Sequence, residues 1–216
     1  KILIVAAEAA PFAKVGHVAE VTGSLPVALR GLGHDVRLVM PRYGRIDPAK
    51  FDLKPVAPLQ NLSVQVNRGH ETVYITEGTI GDAGGLVPVY FVNNDKYFNR
   101  DGIYGYPDDD ERFILFCRSV LDMLPELDWQ PDIIHCNDWQ TGPVPFLLKT
   151  LYREQFYLRA ATVYTIHNLQ YQGNFPKEAL RLLGAGEEYF TPEGLEFYGK
   201  VSFMKMGINY ADVINT

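Results

Sequence analysis

Hydrophobic residues along the chain fall into short, nearly unbroken runs, separated by longer stretches in which they recur every three or four positions. The runs Ile2–Ala7, Val36–Met40, Val73–Thr76, Val87–Val92, Ile133–His135, Thr162–Ile166 and Val213–Asn215 are rich in β-branched residues and predict strands. Most are continuous runs with little alternation, which is how a strand buried on both faces of a parallel sheet reads. Between the first two, from Gly16 to Leu32, Val18, Val21, Leu25, Ala28, Leu29 and Leu32 share one face of a helix. Gly33 is placed to cap its C-terminus, while Pro26 predicts a kink or a restart with Ser24 as a local cap. A second helix is predicted over Asp110–Leu124, its acidic opening complementing the positive end of the helix dipole, and a third from Trp139 to about Tyr152. Strand, helix and strand in repetition predict an α/β fold: a doubly wound, mainly parallel sheet with flanking helices. Between Pro48 and Gly85 the pattern weakens, and a β-rich excursion or hairpins are expected there. No repeat, low-complexity tract or linker interrupts the chain, so residues 1–216 read as one domain.

Composition narrows the possibilities. The chain has 216 residues, and its 47% hydrophobic content supports a full core. Twenty Lys and Arg against twenty-six Asp and Glu leave a net charge of −6 with no basic run, which argues against nucleic acid as a partner. No apolar stretch approaches the roughly 18–20 residues that span a bilayer, and the opening KILIVAAEAA lacks the layout of a signal peptide. Cys117 and Cys136 are too few for a disulfide framework and sit in apolar surroundings, as expected in a reducing compartment. These features predict an acidic, soluble, cytosol-like globular unit without a membrane partner.

In a doubly wound sheet, ligands bind beyond the carboxyl ends of the strands. After the first strand, Lys14 precedes Gly16 at the start of a helix, where helix amides and a cation together suit a phosphate; an ordinary solvated lysine fits as well. The dinucleotide fingerprint is missing, since the Gly31 and Gly33 pair follows a helix, and this disfavours a nicotinamide dehydrogenase. The strand at Ile133 leads into His135-Cys136-Asn137-Asp138, where Asp138 suits either a ligand or a helix cap. His135 and Cys136 point to opposite faces of a strand, and no second ligand pair follows, so no metal site is expected. The strand at Thr162 leads into His167-Asn168-Leu169-Gln170-Tyr171, a mixture of donors, acceptors and a flat ring that suits a sugar. Tyr97, Phe98, Tyr104, Tyr106 and Asp108–Asp110 form another aromatic and acidic loop, open to a ligand role or to plain solvation and helix capping.

KILIVAAEAAPFAKVG, GHDVRLVMPRYG, DGIYGYPDDDERF, PDIIHCNDWQTG, TIHNLQYQGNF and YFTPEGLEFYGKVSFMKMGINYAD follow one another along the whole chain. In these segments the sequence resembles the N-terminal domain of bacterial glycogen synthases and plant starch synthases. Those are ADP-glucose-dependent, retaining α-1,4-glucosyltransferases of the GT-B type. The resemblance implies a Rossmann-like domain forming the N-terminal half of a GT-B glycosyltransferase, with a C-terminal nucleotide-binding domain outside this chain. It implies ADP-glucose and an α-1,4-glucan, glycogen or starch, as substrates, with no cofactor and no metal. It also implies a bacterial cytoplasm or a plastid stroma as the location.

Residue by residue, Lys14 matches the lysine of the family's K-x-G-G motif, near the donor's phosphates, and Gly16 matches its first glycine. Glu20 falls where the family usually has Asp. Asp138 matches an essential acidic residue, His167 the histidine near the transferred glucose, and Asn168 sits beside it. Tyr104 matches an aromatic position associated with the acceptor glucan. Two positions depart from the pattern: His17 occupies the second glycine of the motif, and Asn137 stands where relatives often have histidine. The His17 substitution motivates a second reading, a non-catalytic homologue that binds α-glucan or regulates a partner. A phosphorelay receiver fits less well, because its carboxylates should follow the first strand and here they open a helix.

Overall fold

The computed structural model of the chain describes residues 1–82, 85–153, 156–157 and 159–216. Its main-sheet strands are β1 (Ile2–Val5), β2 (Val36–Pro41), β3 (Lys54–Pro55), β4 (Leu62–Val66), β5 (Gly69–Asp82), β6 (Gly85–Asn93), β7 (Ile133–Asn137) and β8 (Ala161–Thr165). β9 (Asn174–Phe175), β10 (Glu196–Phe197) and β11 (Lys200–Ser202) make a small antiparallel sheet, and β12 (Val213–Asn215) returns to the main one. The helices are α1 (Val18–Gly31), α2 (Asp109–Met123), α3 (Pro143–Thr150), α4 (Ala179–Leu183) and α5 (Phe203–Tyr210).

Among the described residues the main sheet runs β12-β8-β7-β1-β2-β6-β5-β3, with β4 paired to β5. From β12 to β6 every pairing is parallel. The central strands are the continuous apolar runs of the sequence; Leu3, Ile4 and Val5 of β1 are fully buried, as are Leu38, Val39 and Met40 of β2. α1 and α2 both pack on β2 and β6, covering strands that have no solvent face. The expected excursion is a β-hairpin: β5 pairs antiparallel with β6 from Tyr74↔Asn93 to Asp82↔Gly85, residues 83 and 84 lying outside the described residues. The strand expected at Val73–Thr76 thus extends to fourteen residues, because pairing with β4 holds Gly69–Val73 and pairing along β6 carries the rest through polar positions and through Gly78 and Gly81.

Two helix expectations need correction. α1 starts at Val18, not Gly16, and continues through Pro26 without a restart. Ser24 caps nothing. Its hydroxyl donates back to the carbonyls of Glu20 and Val21, as that of Thr22 does to Val18, within a continuous helix. The other end is as expected: Gly33 has φ +91° and donates to the Arg30 carbonyl while His34 donates to that of Leu29, a Schellman closure. The third helix is in two pieces, a 3-10 turn at Trp139–Thr141 and then α3, with Pro143 at the first helical position, where its missing N–H has no intrahelical role.

The two ends of the sheet differ in chemistry. At the amino end, Trp129 donates its indole N–H to Asp35 at 2.8 Å beneath the Arg37 guanidinium. Toward the carboxyl end, His135 on β7 is hydrogen-bonded to the Thr165 hydroxyl on β8 at 2.6 Å. Burial, reinforced by the nearby His167, pushes the His135 imidazole down to about 4.

Gly23 in α1 lies against the loop after β1, and a Cβ there would stand 2.5 Å from the Ala10 carbonyl oxygen. Helix propensity alone favours Gly→Ala by about 0.5–1 kcal/mol, but crowding of backbone costs about 1–3 kcal/mol. Gly23→Ala should therefore lower the denaturation midpoint, and a rise would show that the approach is not tight. His135 is held neutral in the fold, whereas in the unfolded chain it titrates near 6.5, so the unfolded state binds more protons between the two values. Its contribution is complete above pH ~6.5 and is lost as pH falls toward about 4. In urea titrations, His135→Gln should flatten the pH dependence of stability across that window.

Candidate active site

The sheet order reverses at β1: β2 lies on one side of it and β7, which comes much later in the chain, on the other. Such a switch point opens a crevice at the carboxyl ends of the strands. Three segments reach it, residues 8–17 after β1, 138–142 after β7 and 166–173 after β8.

The first segment is organised by a residue that the sequence pattern does not single out. Glu8 is 3% exposed, and its carboxylate accepts the backbone N–H groups of Val15 at 2.5 Å and Gly16 at 2.9 Å and the hydroxyl of Tyr104 at 2.5 Å. The amides expected to stand open beside Lys14 are therefore already occupied at residues 15 and 16 by an anion of the protein itself. Lys14 is half-exposed at the mouth and forms an ion pair with Glu20 from the first turn of α1, which lowers the Glu20 carboxyl through hydrogen bonding and charge. His17 is exposed at the N-terminus of α1 with φ −70°. A side chain fits the backbone there without strain, although the motif has glycine.

The second segment is strained. Asp138 has φ 58° and ψ −179°, a region almost confined to glycine that costs on the order of 1–3 kcal/mol. The conformation is fixed on several sides. Its N–H donates to the Thr165 carbonyl at 3.0 Å, and its own carbonyl accepts from the N–H of Thr141 at 3.1 Å and from the Thr141 hydroxyl. Asp138 does not cap the following helix. Its carboxylate instead accepts the backbone N–H of His167 at 2.8 Å. Burial raises the Asp138 carboxyl above its usual range; the backbone N–H groups of His167 and Asn168 oppose that rise, and the Glu8 carboxylate adds to it.

The third segment brings His167 back over the second. Its Nε2 lies 2.9 Å from Oδ1 of Asn137, which is 2% exposed at the end of β7. Asn168 is exposed, and its side chain accepts the Gln170 N–H, bracing the turn and making no contact with the imidazole. Beneath these groups lies an aromatic floor: Trp139 packs on Phe113 at 5.1 Å, on Phe175 at 5.5 Å, on Phe203 and on Tyr104.

Tyr104 thus belongs to the site through Glu8, 96 residues earlier in the chain, and burial among carboxylates lifts its phenol well above the usual range. The rest of its loop does not form an aromatic surface. Tyr97 and Phe98 are fully buried, and Tyr97 donates to Glu111. The acidic run is internally paired, Asp108 with Arg100 and Asp109 with the fully buried Arg112, which also donates to the carbonyls of Tyr97 and Ile103. Among the described residues no group of three or more His, Cys, Asp or Glu is arranged to hold a metal, and no helix is long and apolar enough to cross a membrane. Among the described residues the crevice therefore offers a half-exposed lysine, the His167 imidazole with His17 exposed at its mouth, the buried Glu8 and part-buried Asp138 carboxylates, and an aromatic floor.

Comparison with known proteins gives this arrangement a family. A model of the starch synthase catalytic domain matches residues 1–216. The glycogen synthases of Moorella thermoacetica and Desulforudis audaxviator are each 54% identical to the chain, covering all of it and 43% and 44% of their own lengths. A solved structure, the catalytic domain of starch synthase IV from Arabidopsis thaliana bound to ADP and acarbose, is similar at a TM-score of 0.89 and 30% identity, covering 99% of this chain and 44% of that one. The chain spans less than half the length of these relatives. With a family model matched over its full length and the same fold in a solved relative, the chain belongs to the starch synthase catalytic domain family.

Proposed function

We propose that the chain is the N-terminal, acceptor-side domain of a glycogen or starch synthase. The complete enzyme transfers glucose from ADP-glucose to the non-reducing 4-hydroxyl of an α-1,4-glucan with retention of configuration. A second nucleotide-binding domain supplies the other wall of the cleft, the domain alone is inactive, and the protein works in a bacterial cytoplasm or a plastid stroma. The observation that carries this reading is the meeting of His167 with a strained, part-buried Asp138 at the switch point of the sheet, within the crevice that Lys14 and Tyr104 border. The solved Arabidopsis relative was bound to ADP and acarbose, which supports a nucleotide and a glucan as ligands of this family.

In this mechanism the glucosyl group passes through an oxocarbenium-like state while negative charge grows on the departing diphosphate. Lys14 answers that charge, since preorganised groups aimed at developing charge are a large catalytic contribution. Its pairing with Glu20 is solvent-exposed, and such pairs contribute little net stability, so exchanging the carboxylate for a diphosphate costs little. Gly16, His17, Glu20 and Asn168 line the donor side. His167 hydrogen-bonds a hydroxyl of the transferred glucose, and Asp138 fixes the backbone of His167. Tyr104 offers its ring toward the acceptor.

The non-catalytic alternative rests on the His17 side chain, which stands exposed at the start of α1 where the motif has only glycine and the donor approaches the backbone. In the full-length protein, Lys14→Ala and His167→Ala should each lower glucose transfer from ADP-glucose to glycogen by about 10²–10³-fold. Normal turnover in both would overturn the assignment. Comparing the parent enzyme with His17→Gly settles the alternative: an inactive parent restored by glycine would support a non-catalytic homologue, and equal rates would dismiss it.

A further inference from the structure

The Asn137 amide has two ends with different partners. Its Nδ2 faces the main-chain carbonyls of Val5 at 3.1 Å and His135 at 3.3 Å, both acceptors. The opposite orientation would set the amide oxygen against two carbonyl oxygens, so the NH2 group must point to them and Oδ1 must point to His167. Oδ1 can only accept. The His167 Nε2 at 2.9 Å must therefore carry a hydrogen. Among the described residues, no hydrogen bond engages Nδ1.

We propose that Asn137 is a positioning residue that fixes His167 as its Nε2–H tautomer, leaving Nδ1 as a hydrogen-bond acceptor for a ligand hydroxyl. The tautomer of a histidine is set by the partner of its other nitrogen. Asn137 is well suited to this role. It is buried, spans from β1 to β7 through the Val5 carbonyl, and cannot rotate to present its NH2 to the imidazole without leaving two carbonyls unpaired. The Asp138 carboxylate holds the backbone of the same histidine, so main chain and ring of His167 are each held by one of two consecutive residues. A neutral imidazole in this state recognises a group that donates, such as a sugar hydroxyl, and disfavours a carbonyl or phosphate oxygen. The identity of that hydroxyl as one of glucose rests on the function proposed above; the tautomer itself does not.

The test is ¹⁵N-histidine NMR on the chain without substrate, above the pH at which imidazoles titrate, with His167 assigned by the signal lost in His167→Gln. The expected spectrum shows His167 with a protonated Nε2 and an unprotonated Nδ1, and an Nε2 proton protected from solvent exchange. In Asn137→Leu that proton should exchange about tenfold faster or more, as expected for the loss of a buried acceptor. An Nδ1–H tautomer in the unmodified chain overturns the proposal, and so does unchanged protection in Asn137→Leu. Should the leucine variant fail to fold, the spectrum of the unmodified chain still decides. A chain that passes this test while its full-length parent transfers no glucose would refute the proposed function and leave the tautomer assignment intact.

Discussion

A carboxylate with no cationic partner among the described residues, that of Glu8, lies at the centre of this cleft. Burying an ionised group is expensive unless its lone pairs are satisfied, and Glu8 is satisfied by two backbone N–H groups and a tyrosine hydroxyl. That requirement dictates the local chain path. The loop after β1 must turn back so that residues 15 and 16 point their amides at the strand from which they came. The loop before α2 must come down over them to deliver Tyr104. Arg112, buried and bonded to the carbonyls of Tyr97 and Ile103, holds the second loop at the height that makes this possible. The mouth of the crevice is thus shaped by the solvation needs of one acid.

The same feature alters the electrostatics expected for an anion site. A helix start beside a lysine usually offers free amides to a phosphate. Here the amides of Val15 and Gly16, just ahead of the helix start at Val18, serve an internal anion, and Asp138 adds a second carboxylate whose ionisation burial already opposes. Lys14, paired with Glu20, stands beside them at the mouth of the crevice. The chain that carries this arrangement spans less than half the length of its relatives.

Much of the fold was legible because β1, β2 and β6 are nearly continuous apolar runs, buried on both faces, and β7 and β8 are short runs with β-branched residues. β5 was under-read because half of it is polar and two glycines interrupt it, and its pairings with β4 and β6 together reveal its length. Pro26 and Ser24 misled because local rules predict a break, while hydroxyl-to-carbonyl bonds and tertiary packing carry the helix through. At the site, the positions of Asp138 and His167 just after β7 and β8, and of Lys14 in the loop between β1 and α1, were legible from the strand ends. Glu8 was not, since its partners stand up to 96 residues away and an acid at a strand end reads as solvated. Its one visible signal was position, a lone acid between Ala7 and Ala9 with apolar residues on both sides.

The chain has two tryptophans, and the fold sends them to opposite ends of the same sheet. Trp129 is fixed at the amino end by Asp35 and Arg37, remote from the crevice, while Trp139 lies directly beneath it among Tyr104, Phe113, Phe175 and Phe203. One indole therefore shares its surroundings with whatever enters the cleft, and the other does not. The molecule carries an optical probe of its own ligand site together with a built-in reference, and replacing either ring separates the two emissions.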